Sequence, residues 1–143
     1  MKIENLEDCF KFRLLRKIRP DLNKSKTSLK IAKIKLESAK KAFNAGLFDL
    51  SIISSYTGMF HAARALLYRD GIQEKSHFAI SVYLKEKYKD KIPQGILNSF
   101  IVHRIERHDV LYGFEYEAGK EDAKSAIQDA ETFLKEIEKI LNI

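Results

Sequence analysis

The run Ile52-Ile53-Ser54-Ser55-Tyr56-Thr57-Gly58-Met59-Phe60-His61-Ala62-Ala63-Arg64-Ala65-Leu66-Leu67-Tyr68, closed by Asp70-Gly71, constrains the fold more than any other stretch. Ile53, Tyr56, Phe60, Ala63 and Leu67 recur at alternating steps of three and four, and Ile52, Met59 and Leu66 widen the stripe. That period belongs to a helix, and a stripe this broad belongs to one buried on most of its sides. Gly58, Ala62, Ala63 and Ala65 carry little bulk, so neighbouring helices can approach closely, and Gly71 suits a left-handed C-terminal cap. The rest of the chain has to pack around this helix.

The flanking sequence supplies the partners. Residues of about 6–18 carry Leu6, Phe10, Leu14 and Ile18 on one helical face and end at Pro20, which marks residues 1–20 as a short N-terminal helical arm. A helix capped near Asp21 or Asn23 is expected to run to about Ala45 on the stripe Leu29, Ala32, Leu36, Ala39 and Phe43, broken at Gly46. Asp49 is a candidate cap for the central helix, so the two form an antiparallel pair. Gln73-Glu74-Lys75 reads as a loop, and Ser76 as the cap of a shorter helix with Phe78, Ile80, Val82, Tyr83 and Leu84. Pro93 opens a further helix, supported by Ile96, Leu97, Phe100, Ile101 and Ile105 and stopped at Gly113. Residues 114–119 read as a turn, and Ala123, Ile127, Ala130, Leu134, Ile137 and Leu141 line a last helix. No strand-like alternation is evident. The expected fold is all-α, an up-and-down bundle of four main helices plus one or two short ones, with residues 21–143 forming the bundle domain.

A chain of 143 residues has room for one such domain and its core. No apolar run approaches the roughly 20 residues that span a bilayer, and the segment Met1-Lys2-Ile3-Glu4-Asn5-Leu6-Glu7-Asp8 lacks a signal peptide's apolar centre, so a cytoplasmic, non-membrane protein is expected. Cys9 is the sole cysteine, which excludes an internal disulfide and reads as a structural thiol. The net charge of +6 is unevenly spread: residues 11–41 are rich in lysine and arginine, whereas the C-terminal third is acidic. Such asymmetry would steer a polyanion such as RNA to one side, although a basic helix face is more often plain solvated surface.

The densest collection of reactive groups is His103-Arg104-Ile105-Glu106-Arg107-His108-Asp109-Val110-Leu111-Tyr112-Gly113. On a helix Arg104, His108 and Tyr112 form one line, with Arg107 beside Arg104 and His103 one turn before Arg107. Guanidinium forks suit a phosphate, and an imidazole titrates near neutrality, so the set can serve cleavage of a phosphodiester without a metal. The same residues also suit a plain basic helix end, and spacing does not choose between the two. Thr57, His61, Arg64 and Tyr68 share a row of the central helix that is expected to face this segment. His61 reads as a hydrogen-bonded core histidine and His77 as a helix-start residue. No histidine and carboxylate set has metal-site spacing, and there is no glycine-rich phosphate loop.

The run Ser55–Leu67, followed by Lys75-Ser76-His77 and by Arg107 with Tyr112-Gly113, resembles the HEPN superfamily and in particular its small stand-alone UPF0332-type members, over roughly residues 22–141. The resemblance implies a helical bundle that pairs into a homodimer and is often encoded beside a minimal nucleotidyltransferase in toxin and antitoxin pairs. Many such proteins are metal-independent ribonucleases whose signature is an arginine, a polar residue, three further residues and a histidine. Arg107 matches the arginine and His108 the polar position, and Tyr112 stands where the histidine should be. A phenol is a poorer proton shuttle at neutrality than an imidazole. The resemblance therefore implies one of two things. The first is a ribonuclease in which Arg107 stabilises phosphate charge, His108 moves the proton and Tyr112 orients, with Arg104, His103 and Arg64 binding RNA or nucleotide. The second is a non-catalytic module that binds a nucleotide or a partner, in which Tyr112 is open to modification by the nucleotidyltransferase. A structural helical adaptor is a third reading, and none of the three calls for a cofactor.

Overall fold

The computed structural model describes residues 2–113 and 116–143. Among them are six helices, α1 (Leu6–Lys11), α2 (Leu22–Asn44), α3 (Phe48–Asp70), α4 (His77–Lys87), α5 (Gln94–Tyr112) and α6 (Lys120–Leu141). Two short strands, β1 (Leu15–Lys17) and β2 (Ile72–Glu74), complete the regular structure. The all-α bundle is as expected, and no helix among the described residues is long and apolar enough to cross a membrane.

α2 and α3 form the antiparallel pair at the centre. The Asp21 carboxylate caps α2 by accepting from Lys24 N at 2.9 Å. A Cβ at Gly58 would stand 3.1 Å from Ala32 O, which shows how closely the two backbones approach. Three serine hydroxyls fasten them by donating to carbonyls of the partner helix: Ser25 to Ala65 O, Ser28 to His61 O, and Ser51 to Ala39 O, at 2.7, 2.7 and 2.9 Å. α3 ends at Gly71 in the left-handed region with φ +78°, where any side chain would be strained. Leu47 occupies the N-cap of α3 without a side-chain bond, so Asp49 lies inside the first turn and does not cap the helix.

α6 buries Ala123, Ala126, Ala130, Phe133, Leu134, Ile137 and Leu141, against α3 above all. Its carboxylates meet the lysines of α2, Lys33 with Glu138 and Lys40 with Glu131, both at 3.6 Å. The basic and acidic parts of the sequence therefore partly neutralise one another across the bundle. These pairs are exposed, so each contributes little stability.

The N-terminal segment departs from the expected amphipathic helix over residues 6–18. α1 stops at Lys11, Arg13 turns the chain with φ +60°, and β1 pairs antiparallel with β2 in the register Leu15↔Glu74, Arg16↔Gln73, Lys17↔Ile72. Leu6, Cys9 and Leu15 are buried in the main core, so the described part of residues 1–20 is tied to the bundle. Gln73 and Glu74 accordingly lie in a strand where a loop was expected. Three-residue strands are too short to display a period of two, which is why the alternation is not visible in the sequence. Of the expected turn at 114–119, Phe114 and Glu115 lie outside the described residues, as does Met1.

Candidate functional site: an arginine cluster beside a half-buried imidazole

Only Leu97, Phe100 and His103 of α5 are buried, so this helix rests lightly on the bundle and presents much of its length to the surface. His103 does not belong to the exposed side. Its Nδ1 lies 2.9 Å from Glu106 Oε1 and its Nε2 2.7 Å from Asp129 Oδ2, and Tyr116 donates to the other Glu106 oxygen at 3.1 Å. Burial pulls the His103 pKa down, but the hydrogen bonds and charges of Glu106 and Asp129 outweigh it and hold the ring above its ordinary value. With both nitrogens engaged, His103 fastens α5 to α6 and has no donor to offer a nucleic acid.

The opposite electrostatics prevail around Arg104 and Arg107. The Arg107 guanidinium lies 5.9 Å from the Tyr56 ring, and that of Arg104 lies 5.7 Å from the Phe78 ring. No carboxylate among the described residues pairs with either, and Arg104 Nε is buried without a partner. Between these elements sits His77, the first residue of α4 behind the Ser76 cap. Its Nδ1 is 2.8 Å from the Tyr56 hydroxyl, and its ring stacks on Phe60 at 4.3 Å. Burial lowers the His77 pKa, and Arg107, Arg104 and Arg64 lower it further in that order. Burial raises the Tyr56 pKa against the pull of the same two α5 arginines, so its hydroxyl keeps its proton while it shares a hydrogen bond with Nδ1.

The structure thus assembles two guanidiniums, an imidazole and a phenol, but the last two come from other elements than the α5 row suggested. His108 and Tyr112 are exposed and lie against one another, with ring centroids 5.0 Å apart. Tyr112 is 67% exposed, and it shares the outer side of α5 with the exposed apolar residues Val102, Ile105 and Leu111. His77 is a helix-start residue as its sequence implies, yet it is also the imidazole of the cluster. Its one sequence signal is the adjoining Lys75-Ser76 in the family-like motif; Tyr56 gave none, because it reads as core and is core, with no exposed surface.

Arg64 faces elsewhere. It donates to the Tyr68 hydroxyl, and its Nε stands 2.9 Å from Glu74 Oε1 in an ion pair too bent to be a hydrogen bond. His61, Arg64 and Tyr68 line a groove against the first turns of α2, so their row does not face the Arg104–Tyr112 segment as expected. His61 is half-buried, and its Nδ1 lacks the hydrogen bond expected of a core histidine.

Such a cluster has the chemistry to accept an anion. Two guanidiniums that pair with no carboxylate among the described residues, beside the His77 imidazole, form a set that negative charge on a phosphate would satisfy. A sequence model of the HEPN domain family matches residues 25–140. A UPF0332 protein of Archaeoglobus fulgidus is similar as well, at 28% identity over 109 residues that make up 75% of this chain and 86% of that protein. The family match runs from the first turn of α2 to the last turn of α6 and takes in Tyr56, His77, Arg104 and Arg107: the chain belongs to the HEPN domain family.

Proposed function

We propose that this HEPN protein acts on RNA through the Arg104–Arg107 cluster, as a homodimer and as the toxin half of a pair with a minimal nucleotidyltransferase. The observation that carries the reading is the convergence on the His77–Tyr56 pair of two guanidiniums that have no carboxylate partner among the described residues. In cleavage the ribose 2′-oxygen attacks phosphorus and the 5′-oxygen leaves with a proton. Arg107 and Arg104 stabilise the phosphate charge, and an imidazole at His77 or His108 takes the proton of the attacking 2′-hydroxyl and passes a proton to the leaving 5′-oxygen. The exposed apolar residues Val102, Ile105 and Leu111 beside Tyr112 support pairing of two copies along α5, which would bring two basic clusters together.

A second reading is favoured by the exposure of Tyr112. Its phenol, on the last turn of α5, is open to a nucleotidyltransferase partner, and an adduct there would add negative charge beside the arginines.

The deciding experiment incubates the protein with single-stranded RNA in chelator, alongside Arg107→Ala, His77→Ala and His108→Ala. Cleavage that falls in Arg107→Ala and in one histidine variant supports the enzyme and identifies the proton donor. Salt-sensitive binding without cleavage, lost in Arg107→Ala, supports a binding module. The absence of both cleavage and binding contradicts an RNA-directed role. Mass analysis after co-expression with a nucleotidyltransferase reads the Tyr112 adduct directly.

A further inference from the structure

Tyr56, Phe60, Arg64 and Tyr68 follow one another at every fourth position of α3, and so lie along one line of the helix about 18 Å long. Contacts along this line are continuous. From the Arg107–Tyr56–His77 group the His77 ring stacks on Phe60 at 4.3 Å, and the Arg64 guanidinium lies 5.4 Å from Phe60 and 5.2 Å from Tyr68. Lys24 Nζ closes the series, 5.8 Å from the Tyr68 ring. A row of rings and cations therefore leads from α5, over α3, to the first turn of α2.

There it meets a groove of about 430 Å³ lined by Lys24, Thr27, Ser28, His61, Arg64 and Tyr68 among others. The fold already uses part of this lining: Ser28 bonds His61 O, the Asp21 carboxylate caps α2, and Glu74 balances Arg64. Two groups are not used. Lys24 has no ion pair among the described residues, and His61 Nδ1 is buried with no hydrogen-bond partner.

We infer that this groove is a second nucleotide subsite for single-stranded RNA, continuous with the arginine cluster across Phe60; the inference rests on the RNA-directed reading of that cluster. Lys24, with Arg64 beside it, meets the phosphate of a flanking nucleotide, and the Thr27 hydroxyl meets a polar edge of its sugar or base. The strand is single, because ring-lined grooves with polar groups at their floor take unpaired nucleotides, whose edges a duplex hides.

The test measures binding of labelled RNA oligonucleotides of about 4 and about 16 nucleotides, the span covered by small single-strand-binding domains, to the full chain. Lys24→Glu and Thr27→Glu are compared with Arg107→Ala. Both groove positions are exposed, and glutamate three residues after the Asp21 cap suits a helix start, so the fold is kept. The expected result is a loss of about tenfold on the long oligonucleotide with the short one unchanged. For Lys24→Glu the salt dependence should also fall by about 0.7 in logarithmic slope, as for one lost phosphate contact on a single strand. Equal loss on both lengths, or no loss on the long one while Arg107→Ala abolishes both, overturns the groove and leaves the cluster standing. No binding of either length by the unmodified protein overturns both.

Discussion

The two sides of α5 treat an imidazole in opposite ways. His103, towards α6, is held between Glu106 and Asp129, whose hydrogen bonds and charges raise its pKa against the pull of burial; the pKa of His77, on the side of α3 and α4, is lowered by burial and then by the charges of Arg107, Arg104 and Arg64. One side has satisfied its charges internally and serves to hold the helix in place. The other holds two guanidiniums that pair with no carboxylate among the described residues, an arrangement that an anionic ligand would complete. The same helix thus separates an anchor from a site, and substitutions on either side should move different observables.

The largest effect is expected at Arg107→Ala. Removing one preorganised donor to a phosphate should lower RNA cleavage or binding by about 100-fold, while thermal unfolding changes little. Next comes His103→Ala, which should cost about 2–3 kcal/mol in denaturant unfolding because Glu106 is left without its partner near α6. Solvent at Asp129, 41% exposed, keeps the figure below that of a fully buried pair. RNA binding by that variant should survive wherever the protein remains folded.

A smaller effect, of about 1 kcal/mol, distinguishes the two histidines by sign in the pH dependence of stability. The His103 pKa is raised on folding, so its stabilisation is fully present below the ordinary value of 6.5 and is lost as pH rises through the folded value. The His77 pKa is lowered, so its contribution is present above 6.5 and is lost as pH falls through the folded value. His103→Gln should therefore flatten the alkaline side of the stability profile and His77→Asn the acid side. Identical profiles for the two variants would break the comparison. Smallest of all, Tyr112→Phe should leave stability within about 0.5 kcal/mol, as befits an exposed side chain, while preventing any modification of the phenol.

The bundle was legible because α2, α3 and α6 each run for several turns, and a long 3.6-residue period is hard to mistake. Asp21, Gly71 and Ser76 also marked helix ends through local chemistry alone. The segment around β1 was not legible: Leu6, Phe10, Leu14 and Ile18 have helical spacing, and the competing bonds, such as Ile18 N to Gly71 O at 2.9 Å, involve residues far along the chain. The same limit governs the site. Arg104 and Arg107, one turn apart, announce themselves as a pair, and Glu106 three residues from His103 hints at an internal partner. That the imidazole and phenol of the cluster are His77 and Tyr56, and that Asp129 completes the anchor at His103, is decided by tertiary packing. No local pattern records it.

The most direct test is a pH titration of the histidine ring resonances, with and without single-stranded RNA. A bound phosphate beside Arg104 and Arg107 would offset their charge, so the account predicts that RNA raises the pKa of His77 and leaves that of His103 where it was. Tight RNA binding with an unmoved His77 would show that the anion sits elsewhere, and would contradict the assignment of this face of α5 as the site.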